Sequence, residues 1–283
     1  MTDGTTPPAA AGGLKTTPVA GIVGGGGWLG RAMAANMLRR GVIRAGNLVL
    51  SSRSGAVEGF PAGGPVRVTA DNAALVAAAD IVILSVRPEQ FAGLSLACGG
   101  KLVISVMAGV SLATLQAATG AQRIVRAMPN AACEIARSYT PWHGLPAASA
   151  DDRAFVQALF ESCGTADAVP CEADIDYLAG LSGSGPAFPA LLAGAMLAHA
   201  RRRGLPEAIA RRAVMGAVSD AARLLPDHGA PEDLIETFLD YRGTTAAALR
   251  AMIAGGLPEA VAAGLDAAEA MARTMAETAS RQP

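Results

Sequence analysis

The sequence predicts an α/β protein: a doubly wound, mainly parallel sheet in the N-terminal part, followed by an all-helical C-terminal part. Three features carry this reading. From Pro18 to about Pro170, short apolar runs alternate with helix-like stretches, the order that builds a parallel sheet covered by helices. Four consecutive glycines, Gly24 to Gly27, separate the first apolar run from the first helix-like stretch. Beyond Cys171 the strand signal disappears, and Ala-rich stretches with helical spacing fill the remainder.

The strand runs cover residues 19–23, 48–50, 66–68, 81–84, 102–106 and 124–127. They are nearly continuous apolar rather than alternating, as strands buried on both faces require. Helical material separates most of them, at residues 29–40, 71–79 and 112–118. Two crossovers are thin. Residues 54–65 are rich in Gly and Pro, and residues 88–100 form only a short connection. In the second half, helices are divided at Gly204-Leu205-Pro206, at 226–231, at Arg242-Gly243 and at 255–258. Leu191, Leu192, Met196, Val214, Met215 and Val218 put apolar side chains on more than one helix face. A small helical domain with that much apolar surface is expected to bury part of it against a second subunit.

The chain has 283 residues, enough for two domains of roughly 100–200 residues. Apolar types make up 51% and charged types 17%, which excludes a mainly disordered chain. Aromatics are only 4%, so the core is expected to be Ala, Val, Leu, Ile and Met. The formal charge of −1 comes from 23 basic and 24 acidic residues, a balance that excludes non-specific nucleic-acid binding. Cys98, Cys133, Cys163 and Cys171 show no CxxC spacing, and His143, His199 and His228 are scattered. No metal site is expected from them, and reduced thiols suit a cytoplasmic protein. Residues 1–17 are Thr/Ala/Gly/Pro-rich and lack the apolar centre of a signal peptide. The apolar stretch at 187–198 contains Pro189 and is too short to cross a bilayer. The expected organisation is a disordered tail (1–17), a cofactor domain (18–170) and a helical domain (171–283).

Gly25, Gly27 and Gly30 satisfy GxGxxG, directly after the first strand run and at the mouth of the first helix. In that position Gly25 is expected to permit the tight turn and Gly27 to let backbone approach a pyrophosphate. Gly30 lets helix and strand pack closely. Trp28 and Leu29 open the helix, whose free N–H groups and dipole favour phosphate. This is the Rossmann arrangement for a nicotinamide dinucleotide. The second strand run is followed by Ser51-Ser52-Arg53-Ser54. No Asp or Glu stands there to bind a ribose 2′-hydroxyl, whereas hydroxyls and an arginine suit a 2′-phosphate. NADP(H) is therefore expected in preference to NAD(H).

Hydride transfer leaves the protein to position the acceptor and compensate its charge. A ketone acceptor calls for a proton donor, often a lysine. The only lysines, Lys15 and Lys101, lie in the tail and at the start of a strand. A protonated imine is already an electrophile and needs no strong acid beside it. Gly243-Thr244-Thr245 precedes an apolar helix; its amides and hydroxyls fit a carboxylate, and either threonine also fits as a simple N-cap. Residues 181–188, Leu-Ser-Gly-Ser-Gly-Pro-Ala-Phe, put two glycines and a proline early in a helical pattern. These weaken a helix, so close packing or a substrate must approach bare backbone there.

At these residues the chain resembles the pyrroline-5-carboxylate reductase family, over roughly residues 18–275. The carriers are the Gly25/Gly27/Gly30 turn, Ser52-Arg53-Ser54, Asp71-Asn72 and Ser85-Val86-Arg87-Pro88. Further on come Met107-Ala108-Gly109-Val110, Arg126-Ala127-Met128-Pro129-Asn130, the 181–188 stretch, Gly204-Leu205-Pro206 and Gly243-Thr244-Thr245. The resemblance implies reduction of a cyclic imino acid, 1-pyrroline-5-carboxylate, to L-proline by NAD(P)H. It also implies a helical dimerisation domain whose helices interleave between subunits, and larger rings of dimers. By the same resemblance Ser52, Arg53 and Ser54 hold the adenosine 2′-phosphate side. Asn72, Val86, Arg87, Pro88 and Ala108 line the cofactor groove. Met128, Pro129 and Asn130 lie by the nicotinamide. Ser184 and Asn130 contribute to the substrate site. Gly243, Thr244 and Thr245 bind the substrate carboxylate across the dimer interface, and Thr245 is the candidate catalytic hydroxyl.

The chain departs from the family pattern in three places. Ala131-Ala132 replaces the Thr-Pro that follows Met-Pro-Asn, and Ala179 stands where a threonine usually precedes the 181–188 stretch. Asp240-Tyr241-Arg242 replaces Ser-Pro-Gly before Gly243. Arg242 either adds a bidentate partner for a carboxylate or pairs with Asp240 or a neighbouring subunit. Two alternatives follow: a reductase of a different, more anionic imine, and a non-catalytic NADP(H)-binding dimer.

Overall fold

The computed structural model describes residues 17–227 and 229–280. The expected tail, apart from Thr17, and His228 lie outside the described residues. The described chain forms two compact units, one reaching Gly183 and including residues 269–280, the other Ser184–Ala268.

The first unit contains β1 (Ala20–Val23), α1 (Trp28–Arg39), β2 (Leu48–Ser51), β3 (Arg67–Thr69), α2 (Asn72–Ala78), β4 (Ile81–Leu84) and α3 (Pro88–Phe91). It continues with β5 (Leu102–Ser105), α4 (Leu112–Thr119), β6 (Arg123–Ala127), β7 (Ser138–Gly144), α5 (Ala150–Ser162), β8 (Gly164–Ala168) and α6 (Glu172–Leu178). The strands form one sheet in the order β3-β2-β1-β4-β5-β6-β7-β8. Every pairing is parallel except β6 with β7. The order reverses between β1 and β4, which makes the β1/β4 crevice the switch point where α/β sheets bind ligands.

The continuous apolar runs do face protein on both sides. Ile22, Leu48, Leu50, Ile81 and Ile83 belong to one core cluster, with Met33 and Met37 of α1 and Phe160 of α5. Val23, Val49, Val82 and Leu84 belong to the other, with Leu75 of α2 and Leu115 of α4. Local signals stop and start the helices where expected. Asp71 caps α2 by accepting from the Ala73 and Ala74 amides at 2.8 and 3.1 Å. Ser111 caps α4, and Gly120, in the left-handed region at φ 68°, ends it. Lys101 spends its ammonium on the Ala79 carbonyl at 2.5 Å, a structural role on the sheet.

Two strands lie outside the sequence reading, β7 and β8. Pro141 within β7 argues against a strand, and the Gly-Thr-Ala-Asp-Ala of β8 is polar. Both exist because tertiary pairing supplies partners. β8 is tied to β7 through Gly164, where any Cβ would collide with the Ser138 backbone.

The second unit holds α7 (Ala187–Arg202), α8 (Glu207–Met215), α9 (Pro231–Asp240), α10 (Thr244–Ala254) and the first half of α11 (Leu257–Ser280). Among its described residues only Ala210, Val214 and Ala246 are buried hydrophobics, while Leu191 is 77% exposed and Met215 and Val261 more than half exposed. This unit has little core of its own. The helical run Glu172–Arg202 is long and apolar enough to cross a membrane by length and composition alone, longer than the 187–198 stretch suggested. Its first turns carry Glu172 and Asp176, both ion-paired to Arg126 of β6, which commits that end to the sheet.

Candidate active site

The glycine turn is built around Gly24 rather than Gly25. Gly24 takes φ +81°, and a Cβ there would collide with the Ser85 carbonyl oxygen and Val86. The expectation that Gly25 makes the tight turn is corrected accordingly. Gly25 is small because Leu50 Cβ would lie 3.0 Å from its own Cβ. Gly30 fits its expected role, since a Cβ would stand 2.7 Å from the Gly24 oxygen and 2.9 Å from Gly25 Cα. Gly27 is the N-cap of α1, exposed, with only the Gly24 oxygen within 4 Å of an added Cβ. The Gly27 amide donates to Gly24 and that of Arg31 to Gly27, so the Trp28, Leu29 and Gly30 amides have no intrahelical acceptor. Trp28 is 46% exposed at this mouth, whereas the Leu29 side chain packs on the core; Leu29 offers its amide only. A bare turn facing three free amides fits a dinucleotide pyrophosphate.

At the end of β2, Ser52 donates from Oγ to the Ala56 carbonyl at 2.7 Å. Ser54 Oγ stands 3.3 Å from Ser52 Oγ. Both hydroxyls close the loop while Arg53 stays exposed, with no ion pair among the described residues. Ser51 Oγ donates to Asn72 Oδ1 at 2.6 Å, which leaves the Asn72 NH2 group as a donor. The sequence offers Ser51 only as one of the strand-end hydroxyls; its bond to Asn72 makes it a positioning group. Pro88 starts α3, and exposed Arg87 is its N-cap. Ala108 is half-buried beside Gly109, whose φ of +67° and contact with Met275 leave no room for a side chain.

The turn after β6 is tightly held. Met128 donates its amide to the Pro141 carbonyl at 3.0 Å, and Pro129 is buried. Asn130 is 9% exposed and bonds three protein partners. Its amide donates to Ser138 Oγ at 3.0 Å, its Nδ2 to the Ser182 carbonyl at 2.9 Å, and its Oδ1 accepts from Ala132 at 2.9 Å. These bonds fix the Met-Pro-Asn turn and use one of the two Nδ2 hydrogens, which leaves Asn130 a second donor for the ligand contacts that the family pattern implies. Ala132 stands where the family pattern has proline, and the N–H bonded by Asn130 exists because of that change.

The 181–188 stretch is a helix irregularity. Residues Ala179–Gly183 form a π-turn, a feature frequent at functional sites. A Cβ on Gly183 would lie 3.2 Å from Met128 Cγ, so the glycine there serves close approach to the Met-Pro-Asn turn. Ser184 belongs to the second unit and accepts from the Ala187 amide at 2.8 Å.

Beneath this corner, Arg126 is fully buried and holds Glu172 at 2.6 Å and Asp176 at 2.9 Å. Glu172 also accepts from the Leu112 amide at 2.7 Å. Cys133 and Cys163 are buried thiols in contact. The interaction between them, with burial, pushes Cys133 far up, and the same interaction lowers Cys163 against the effect of its burial. Asn36 donates to the Cys133 carbonyl at 2.8 Å. Cys133 is therefore a core group that does not line the cleft.

In the second unit, Gly243 caps α10 with no side-chain cap. The N-cap reading of Thr244 and Thr245 is thereby removed. Ala247 donates to Gly243, leaving the Thr244, Thr245 and Ala246 amides without an intrahelical acceptor beside two exposed threonines. Arg242, where the family pattern has glycine, takes φ +48° and is exposed. It makes no ion pair with Asp240 among the described residues. Among the described residues no group of three His, Cys, Asp or Glu is placed to hold a metal.

The predicted residues of the sheet unit thus follow the C-terminal ends of β1 to β6. Ser184 and Arg242 to Thr245 belong to the helical unit.

Known proteins match both parts of the chain. A family model described as NADP oxidoreductase, coenzyme F420-dependent, matches residues 19–109, and one for pyrroline-5-carboxylate reductase dimerisation matches residues 172–275. Pyrroline-5-carboxylate reductase 3 of Macaca fascicularis is 30% identical over 274 residues, 94% of this chain and 98% of that protein. The reductase of Methanosarcina acetivorans is 31% identical over 245 residues, 82% of this chain and 90% of that one. The solved reductase from Coxiella burnetii superposes with a TM-score of 0.81 at 26% identity, covering 92% of this chain and 99% of that one. With a bare glycine turn at the switch point, a helical half that matches the dimerisation region, and these relatives along nearly its whole length, the chain belongs to the pyrroline-5-carboxylate reductase family.

Proposed function

We propose that this protein reduces 1-pyrroline-5-carboxylate to L-proline as a cytoplasmic dimer, using NADPH in preference to NADH. Residues 18–170 serve the cofactor, and residues 171–283 serve substrate and dimerisation. Reduced nicotinamide, when bound, supplies the hydride to the C=N carbon, and one proton completes the amine.

The chain's own residues do the holding. The Gly24–Gly27 turn and the Trp28, Leu29 and Gly30 amides take the pyrophosphate. Ser52, Arg53 and Ser54 take the adenosine 2′-phosphate, and Asn72, Val86, Arg87, Pro88 and Ala108 line the groove. Met128 and Pro129 bound the nicotinamide end, with Asn130 fixing their turn to Ser182. Gly243, Thr244 and Thr245 receive the substrate carboxylate across the dimer interface, with Ser184 near the ring. The Thr245 hydroxyl is the candidate to orient the imine or pass it a proton. The exposed apolar faces of the helical unit are covered by the second subunit, and dimers assemble further into a ring.

The observation that carries this reading is the uncapped mouth of α10: free amides and two exposed hydroxyls in an apolar unit call for an anion. A second reading keeps the scaffold and changes the substrate to an imine with another anionic group, met by Arg242. It is favoured by the left-handed, exposed and unpaired state of that arginine. The test follows NADPH oxidation with 1-pyrroline-5-carboxylate, with the six-membered imino acid, and with NADH as control. Fast turnover of the five-membered ring by wild type and a large rise in KM for Thr245→Ala support the proposal. No turnover despite tight NADPH binding refutes it in favour of another imine.

A further inference from the structure

The loop that leaves β2 is strapped to α1 by a pair of charges outside the recognised motif. A Cβ on Gly26 would lie 2.8 Å from Ser52 Cβ and 3.9 Å from the Ala56 oxygen, so this loop runs against the glycine turn. Val57 is buried in the core and bridges to Phe60, which anchors the loop and turns Glu58 outward. Glu58, 85% exposed at its side chain, ion-pairs with Arg31 Nη1. Arg31 lies one helical turn beyond Gly27, to whose carbonyl its amide donates at 2.9 Å, and so shares a helix face with the pyrophosphate mouth. Its side chain is two-thirds buried, with 33% exposed, and its Nε is buried without an acceptor among the described residues. A guanidinium held by one carboxylate oxygen, with a buried donor left over, is under-satisfied.

The loop that leaves β2 therefore carries one exposed cation, Arg53, and is tied through Glu58 to a second, Arg31. We propose that Arg31 is a second cation of the 2′-phosphate site and that Glu58 is its resident counter-anion, yielding Arg31 to the phosphate of NADP(H). Arg31 and Glu58 together then set the ratio of NADPH to NADH affinity. This rests on the NADP(H) preference proposed above. The chemistry is that of charge-assisted hydrogen bonding: a guanidinium prefers a phosphate dianion to a solvated carboxylate, and Glu58 opposes that dianion by like charge. A cofactor without the 2′-phosphate leaves the Arg31–Glu58 pair intact.

The test is calorimetric titration of wild type, Arg31→Met and Glu58→Gln with NADPH, NADH and 2′,5′-ADP, which carries the 2′-phosphate without nicotinamide. Arg31→Met is expected to lose about tenfold or more in affinity for NADPH and 2′,5′-ADP and less than about twofold for NADH. Glu58→Gln, which keeps the loop's shape, is expected to raise the NADPH-to-NADH affinity ratio by about threefold. Thermal melts accompany each variant, and Glu58→Gln carries the test if Arg31→Met does not fold. Equal losses for NADPH and NADH in Arg31→Met, or an unchanged ratio in both variants, overturn the assignment and leave a loop strap. Wild type binding NADH as tightly as NADPH overturns instead the preference on which the assignment rests.

Discussion

Replacing Arg126 with methionine removes the cation that joins β6 to α6. The arginine is 1% exposed and faces two carboxylates, Glu172 and Asp176, whose side chains are 32% and 19% exposed. Breaking a buried pair by removing one partner costs about 3–5 kcal/mol. Here the carboxylates retain some water, which places the cost at the lower end, about 3 kcal/mol. Arg126 Nε is itself buried without a partner among the described residues, so methionine also relieves an unmet donor worth about 1 kcal/mol. The net expectation is a loss of about 2 kcal/mol. The triple variant Arg126→Met, Glu172→Gln, Asp176→Asn removes all three charges, and the Glu172→Gln change keeps a side-chain carbonyl oxygen to accept from the Leu112 amide. It is expected to return to within about 1 kcal/mol of wild type. Urea unfolding followed by far-ultraviolet circular dichroism, at one fixed protein concentration because dimers gain stability by mass action, reads both. A single variant within about 0.5 kcal/mol of wild type, or a triple variant no more stable than the single, refutes the account of Arg126 as a charge-balanced strut.

Gly27→Ala should leave the melting temperature nearly unchanged, since Gly27 has an ordinary φ of −69° and little around it, while weakening NADPH binding at least about tenfold. Gly24→Ala should instead lose about 3 kcal/mol or more of stability through its positive φ and the Ser85 collision; the reverse pattern in melts and titrations would undo the division of roles within the turn. Arg242→Gly should stabilise the protein by about 0.5–1 kcal/mol, because the left-handed conformation costs a side-chain-bearing residue about 1–2 kcal/mol and glycine's extra freedom when unfolded returns part of it. An equal or lower melting temperature argues that Arg242 makes a compensating contact in the dimer. Iodoacetamide should label exposed Cys171 and spare buried Cys98, Cys133 and Cys163, as read by peptide mass spectrometry; rapid labelling of Cys133 would contradict its place in the core.

The residues alone were sufficient for the doubly wound sheet, the glycine turn and the helical half, and for good reason. Apolar runs such as Ile81–Leu84 and Leu102–Ser105 are buried on both faces, so every residue reports its environment. Caps such as Asp71 and Ser111 act over three or four residues, within reach of a local reading. The family motifs likewise mark turns that follow strand ends of the sheet. Contacts between residues distant in the chain decided the rest. Pro141 and the polar stretch 164–168 become strands only because Ser138 and β6 offer pairing. Gly24 rather than Gly25 takes the left-handed turn, because Ser85 from another crossover occupies the space beside it. Asn130 also bonds Ser138, Ala132 and Ser182, partners that its motif does not name. Arg31 and Glu58, 27 residues apart, form a pair that no spacing rule exposes. Hydrogen bonds and charges are satisfied in three dimensions, and a linear pattern records which groups exist but not which of them are already taken.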